Sequence, residues 1–302
     1  TMTESNLFKL LNFNPSSIFD SNDEEGRQKI DGDAIIKEAR ENPRDVDLMY
    51  SFTRFTKGRA FHVRWSPLHE AIFLRLGDEV IDALLSPIAI RQKIYGVTPL
   101  HLACTYGSSL NVVNALLCNY PDAAKEKNRG GWTPLHKACQ KGASLDVICA
   151  LVNSWPNAAN EKDDKDRVPL YFACRHGASL AVVQLLFDLW LEAVENRNIH
   201  SVKSLFSKSN PVDVNHLLFY IWSLFYENQS DRSFRAAMRF FIRVNWWNGA
   251  FFLINMYPTV TNSLNLHTNV MADYLSAVGK CCSLTTMSMV IQNEPNLLEG
   301  VK

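Results

Sequence analysis

The sequence predicts an all-α solenoid, a row of stacked helix-turn-helix units, on three observations. A phrase occurs four times: Trp65-Ser-Pro-Leu-His-Glu-Ala71, Val97-Thr-Pro-Leu-His-Leu-Ala103, Trp132-Thr-Pro-Leu-His-Lys-Ala138 and Arg167-Val-Pro-Leu-Tyr-Phe-Ala173. Its prolines fall at 67, 99, 134 and 169, so the spacings are 32, 35 and 35 residues. Behind the phrase an apolar series recurs at helical spacing, as in Leu145, Val147, Ile148, Leu151 and Val152. Repetition at this period means units that bury their apolar faces only against neighbours. Such an array offers a long surface rather than one pocket.

Within a unit the parts follow in order. Pro suits the first helical position, where its missing N–H would be unpaired anyway, and the Thr or Ser before it can cap. Gly107, Gly142 and Gly177 stand eight residues after their prolines and end this helix in a left-handed backbone. The unit beginning at Trp65 is expected to run two residues longer, to Gly77. Ser109, Ser144 and Ser179 cap a second helix. Tyr120-Pro121 and Trp155-Pro156 stop it, because the residue before proline is pushed out of the helical region.

Thr/Ser-Pro-Leu-His-x-Ala, the Gly after it, then Leu-x-Val-Val and a Leu-Leu pair resemble the ankyrin repeat over residues 65–192. Each repeat carries two residues more than the usual length, placed in the Pro-Asp-Ala-Ala-Lys-Glu-Lys stretch. The resemblance implies that the imidazoles of His69, His101 and His136 hydrogen-bond neighbouring turns, with Tyr171 replacing them in the fourth copy. It also implies a binding role, with the partner set against the turn tips and the exposed side of the first helices.

Counted from the second-helix cap, the template asks for apolar residues at +1, +3, +4, +7 and +8 and Pro at +12. It is met again from Val214 (Leu217, Leu218, Ile221, Trp222), from Trp246 (Trp247, Ala250, Leu253, Ile254, Pro258) and from Ser283 (Leu284, Met287, Val290, Ile291, Pro295). First-helix positions agree at Ala237, Phe240 and Phe241 and at Tyr274, Ala277 and Val278. Residues 193–302 are therefore expected to be diverged repeats and a cap continuing the regular repeats of 63–192. One first helix should be lost or displaced, because its positions hold Leu205, Lys208 and Ser209, and an unpaired lysine is costly to bury. Irregular chain is expected from Asn196 to Pro211 and from Tyr226 to Arg232. Upstream, residues 31–62 read as a capping helix from Asp31 to Asn42-Pro43 and an insertion from Pro43 to Phe61. Residues 1–30 read as a flexible acidic arm with a short helix, Leu7–Phe13.

Composition bounds the function. With 47% hydrophobic and 21% charged residues the chain has material for a core, and its formal net charge is zero, so electrostatic preference must be local. The apolar runs are too short to span a bilayer, and no basic region leads into an apolar stretch at the start. Seven cysteines form no evident disulfide framework, so a cytoplasmic or nuclear setting is expected. Cys104, Cys139 and Cys174 repeat in register one unit apart, too far to share a metal, and Cys281-Cys282 are adjacent; no metal or cofactor is expected. Asp163-Asp164-Lys-Asp166 lacks the later Gly and Glu of a calcium loop and reads as a turn in which acidic residues replace the Gly of 96 and 131. No phosphate loop, nucleophile elbow or zinc-protease helix occurs, and no catalytic residue is assigned.

The informative charges fall on one face. First-helix positions −7, −4 and −3 hold Leu102, Thr105 and Tyr106; Lys137, Gln140 and Lys141; Phe172, Arg175 and His176; then Arg239 and Arg243, and finally Lys280. Turn tips add Ile94, Tyr95, Val97, Arg129, Trp132, Lys165 and Arg167, with only Asp164 opposing. A solvated face would carry such cations too. The sharper expectation is a concave groove, aromatic at one end and basic along its length, that binds an acidic or mixed acidic/apolar protein partner. Tyr95, Trp132, Tyr106 and Phe172 would anchor, while Lys137, Lys141, Arg175, Arg239 and Arg243 steer. Nucleic acid and membrane are disfavoured, although Arg232, Arg235, Arg239 and Arg243 line one side of a helix. The alternatives are a substrate-recognition adaptor of a larger assembly, such as a ubiquitin ligase, and an enzyme with an unrecognised site.

Overall fold

A computed structural model describes residues 5–12, 30–56, 59–193, 196, 199–226 and 231–257. The chain divides into two compact units, residues 1–176 and 177–302, and each is taken by itself.

The first unit opens with α1 (Asn6–Leu11) and α2 (Gly32–Glu41), where Asp31 caps α2 by accepting from Ala34 N at 2.9 Å. Leu7 and Leu11 are fully buried, so α1 belongs to the packed unit rather than to a free arm. Residues 13–29 of the expected arm lie outside the described residues. After the short α3 (Pro43–Val46) comes the rest of the segment expected as an insertion. It is a β-hairpin, β1 (Tyr50–Thr56) against β2 (Arg59–Trp65), antiparallel with Tyr50 opposite Trp65 and Thr56 opposite Arg59. Its face is pinned by Phe8 of α1, whose ring centroid lies 5.3 Å from those of Tyr50 and Phe52.

Three helical pairs follow the phrase: α4 (Pro67–Phe73) with α5 (Asp78–Ala83), α6 (Pro99–Tyr106) with α7 (Leu110–Asn119), and α8 (Pro134–Lys141) with α9 (Leu145–Ser154). The first helix of the fourth phrase, α10 (Pro169–Arg175), completes the unit. Each proline is the first helical residue and the residue before it is extended. Gly107 (φ 69°) and Gly142 (φ 66°) are left-handed, as expected. The Pro-Asp-Ala-Ala stretch and its counterpart form 3-10 turns at Pro121–Lys125 and Pro156–Asn160, which bury Ala123, Ala124, Ala158 and Ala159. Cys104, Cys139 and Cys174 are buried, and burial pushes the Cys104 and Cys174 thiols up to about 12.

The unit at Trp65 corrects one expectation. The left-handed residue there is Arg75 (φ 55°), eight after Pro67, and Gly77 instead sits at the N-cap of α5, where Ser109 caps α7. The first helix is not longer. The 32-residue spacing arises because α5 has 6 residues where α7 has 10.

The second unit holds α11 (Leu180–Trp190), α12 (Ile199–Lys203), α13 (Val212–Leu224), α14 (Asp231–Arg243) and α15 (Trp247–Met256). The template's apolar residues are buried in α13 (Val214, Leu217, Leu218, Ile221) and around α15 (Trp246, Ala250, Leu253, Ile254), with Trp222 and Trp247 half-buried. Ala237, Phe240 and Phe241 are buried on α14. The segment from Asn196 to Pro211 is not wholly irregular, since it contains the five-residue α12. This helix lies upstream of the template position, and Lys208 is left exposed, which answers the desolvation cost. Asp188 of α11 accepts from Trp246 Nε1 and Asn248 Nδ2, both at 2.7 Å. Residues 227–230 and every template position from 258 onward, Lys280 and Cys281-Cys282 included, lie outside the described residues.

Candidate turn-tip and first-helix surface

The surface is built on histidines that hold the turns. His101 Nδ1 accepts from Thr98 N at 3.3 Å and pairs with Thr98 Oγ1 at 2.8 Å, which leaves its Nε2–H to donate to Trp132 O at 2.9 Å. His136 repeats the arrangement with Thr133 N at 3.2 Å, Thr133 Oγ1 at 2.8 Å and Arg167 O at 3.1 Å. His69 Nδ1 pairs with Ser66 Oγ at 2.8 Å, while its Nε2 faces the Val97 carbonyl without closing a hydrogen bond of normal geometry. Burial holds all three imidazoles down at about 4, so they are neutral at pH 7, and His101 and His136 act as structural donors. The role implied by the resemblance is seen directly for His101 and His136.

Each histidine fixes the base of a turn tip, and side chains shape the tips. Asn128 Oδ1 accepts from Gly130 N (2.9 Å) and Trp132 N (3.1 Å). Asp163 Oδ1 does the same for Lys165 N and Arg167 N at 2.9 Å. Gly131 (φ 73°) admits no side chain, because an added Cβ would come within 2.6 Å of Asp164 Oδ1. In the next tip Asp166 (φ 56°) takes that conformation, so an acidic residue does stand in for the glycine. Neighbouring tips are stitched by Arg129 N donating to Tyr95 O and Asp164 N to Gly130 O, both at 3.2 Å.

On this frame cations lie over rings. Arg129 Cζ is 4.1 Å from the Tyr95 centroid, Lys137 Nζ 4.3 Å from that of Trp132, and Arg167 Cζ 4.7 Å from that of Phe172. Tyr95, Arg129, Lys141, Arg175 and His176 are exposed; Tyr106, Trp132, Lys137, Gln140 and Arg167 are half-buried. Burial, and then the charge of Lys141, lowers the ammonium pKa of Lys137. An open recess of about 320 Å³ is lined by Tyr95, Val97, Asn128, Arg129, Gly130, Trp132 and Lys137, none of them acidic.

Two expectations need correction. Phe172 is 3% exposed and lies against Trp132, so it supports that ring instead of meeting a partner. The tip cations are also not opposed by Asp164 alone. Asp163, its side chain 1% exposed, accepts from Arg167 Nε at 2.9 Å and Nη2 at 2.6 Å, which ties up that charge. Burial raises the Asp163 carboxyl, but the Arg167 and backbone donors outweigh it, and the net pKa is lowered. The pair was hidden because a side chain folding back four residues leaves no signature in composition. Arg239 and Arg243 lie on the exposed side of α14, in the second unit.

The sequence model of the family described as "Ankyrin repeats (3 copies)" matches residues 110–190. The tip, capped helix and second helix recur in those residues, so residues 110–190 are ankyrin repeats within a mostly helical fold. No curated protein matches it. Ankyrin repeats are generally protein–protein interaction modules and are typically non-catalytic. Among the described residues no helix is long and apolar enough to cross a membrane.

Proposed function

We propose that the chain is a non-catalytic interaction scaffold that binds an acidic, or mixed acidic and apolar, protein surface on the turn tips and first-helix faces of its first unit. The observation that carries this reading is the recess between Tyr95 and Trp132: two aromatic rings, each with a cation over it, and no acidic lining residue. Aromatic and arginine side chains dominate interface energetics, and the surrounding charge sets orientation and encounter rate. Tyr95 and Trp132 anchor, and Tyr106, whose ring packs 5.1 Å from that of Phe73, adds aromatic surface on α6; Arg129, Lys137, Lys141 and Arg175 steer. A cytoplasmic or nuclear site of action fits its buried thiols, which a reducing compartment keeps intact.

The experiment is a pull-down with mass spectrometry on the full chain against a variant carrying Lys137→Glu and Lys141→Glu. Weaker capture of the partner and a flatter salt dependence are expected. Unchanged affinity would reduce the stripe to a solvated face.

A further inference from the structure

The β-hairpin is an enlarged turn tip. Trp65 pairs with Tyr50 at its base as Val97 pairs with Ile94, Trp132 with Asn128 and Arg167 with Asp163. The later tips are stitched to one another by backbone hydrogen bonds and by His101 and His136. The first junction is not. Among the described residues no backbone hydrogen bond joins 62–65 to 94–97, and His69, fully buried, leaves Nε2 short of the Val97 carbonyl. The space left is a groove of about 490 Å³, a size typical of ligand-binding clefts.

One wall is His62, Val63, Arg64 and Trp65; the other is Ile94 with Val97. Alternate side chains of a strand point to opposite faces, so lining by four consecutive residues means that the groove follows the strand's edge. Among the described residues β2 pairs with β1 alone, and every second residue of it presents N–H and C=O outward, a ready template for another strand. Trp65, Val97 and Leu102 make the groove apolar. Its charged groups are Arg64 and, beside Tyr95 at its rim, Arg129, and no lining residue is acidic.

We propose that this groove binds an extended segment of a partner protein in which acidic and apolar residues alternate, added as a strand along the outer edge of β2. Apolar side chains enter between Trp65 and Val97 while carboxylates face Arg64 and Arg129, and the backbone bonds supply affinity that is blind to side chains. The inference rests on the protein-binding reading above but places the contact at a different junction from Lys137 and Lys141.

The probe is a fluorescent, end-capped octapeptide alternating glutamate and valine, measured by anisotropy against the full chain. Lysine–valine and glutamate–serine octapeptides serve as controls. The blocking variant is Val97→Trp, a residue that the phrase already carries at Trp65 and Trp132, so the fold accommodates it. The glutamate–valine peptide is expected to bind better than both controls, and Val97→Trp to weaken it by about tenfold or more. N-methylation of alternate amides should abolish binding in one register and spare it in the other, the signature of one-sided strand pairing. Arg64→Glu, on an exposed residue, is a second variant and should shift preference towards the lysine–valine peptide.

No binding by wild type, equal effects of the two methylation registers, or indifference to both Val97→Trp and Arg64→Glu would overturn the proposal. Binding lost in the Lys137/Lys141 variant yet kept in Val97→Trp would assign the peptide to the basic stripe, overturning the groove while leaving the scaffold reading intact. Because Val97 also lines the Tyr95–Trp132 recess, Arg64→Glu separates the two sites: a switch to the lysine–valine peptide in that variant, together with a natural partner indifferent to Lys137 and Lys141, would retain the groove and remove the stripe.

Discussion

Trp132 and Phe172 meet across consecutive units with ring centroids 4.3 Å apart and planes inclined by 51°. One is half-exposed and the other buried, so they divide the work: Trp132 offers surface and Phe172 holds it. Substituting Trp132→Ala should therefore weaken partner binding by about 2 kcal/mol, roughly 30-fold, and cost less stability than removing Phe172, because it uncovers that ring without emptying the core. Phe172→Ala should instead cost about 3–5 kcal/mol of stability, as for an aromatic removed from a core. Chemical denaturation and an affinity measurement on each variant check this. Equal losses of stability in the two would show that Trp132 is a core residue after all.

Tyr95 is held at φ 56° and is 66% exposed, an uncommon combination for a bulky side chain. With Gly96 at φ 78° and Ile94 bridged to Val97, it occupies a two-residue turn that Asn-Gly suits best. Strain at such a position is of order 1 kcal/mol, and the exposed contact with Arg129 that substitution removes is worth about 0.5–1 kcal/mol. The two nearly cancel. Tyr95→Asn should leave the melting temperature level or slightly raised while partner affinity falls. A clear loss of stability would mean that the ring is held by packing, not kept for binding.

Arg75 adopts at φ 55° the left-handed conformation that Gly107 and Gly142 adopt at the same offset from their prolines. A left-handed L-residue costs about 1–2 kcal/mol, part of which glycine gives back through its freer unfolded chain. Arg75→Gly is expected to stabilise by about 1 kcal/mol, a rise of about 2–4 °C in the melting temperature of a domain this size. Calorimetry decides it, and a fall in melting temperature would show that the Arg75 side chain holds the turn by contacts stronger than the strain.

The units were legible because their instructions are local. Pro, a capping Thr or Ser, a left-handed Gly and a second capping Ser each act within four residues of their place, and a fixed offset exposes them. The β-hairpin has a local pattern as well, of a different period. Phe61, Val63 and Trp65 alternate with His62 and Arg64, and Lys57-Gly58 is a turn signal between two such runs, a period of two that does not fit the helical template. What no local pattern could supply was exposure at the phrase's variable position. Phe172 and Lys137 share it, yet Phe172 is covered because the residue one unit earlier at the tip is Trp132, whereas Lys137 has Val97 there and stays half open. Burial at that place is set by a side chain 35 or more residues away.

The buried histidines set a pH limit on the fold. In the unfolded chain each imidazole titrates near 6.5, and in the folded chain His69, His101 and His136 titrate at about 4. Above about pH 6.5 both states are neutral at these sites and stability is full. Between 6.5 and 4 the unfolded chain takes up protons that the folded chain refuses, so stability falls as pH drops, by up to about 1.4 kcal/mol per histidine per pH unit. Three such groups together remove about 4 kcal/mol by pH 5.5, a large share of the stability of an ordinary domain. Denaturant titrations at pH 7.5, 6.5 and 5.5 measure the slope. The control is His136→Tyr, the residue the fourth copy carries as Tyr171, which should lower proton uptake on unfolding from three to two. A slope unchanged by that substitution would mean that carboxylates, rather than the imidazoles beneath the turn tips, carry the acid sensitivity.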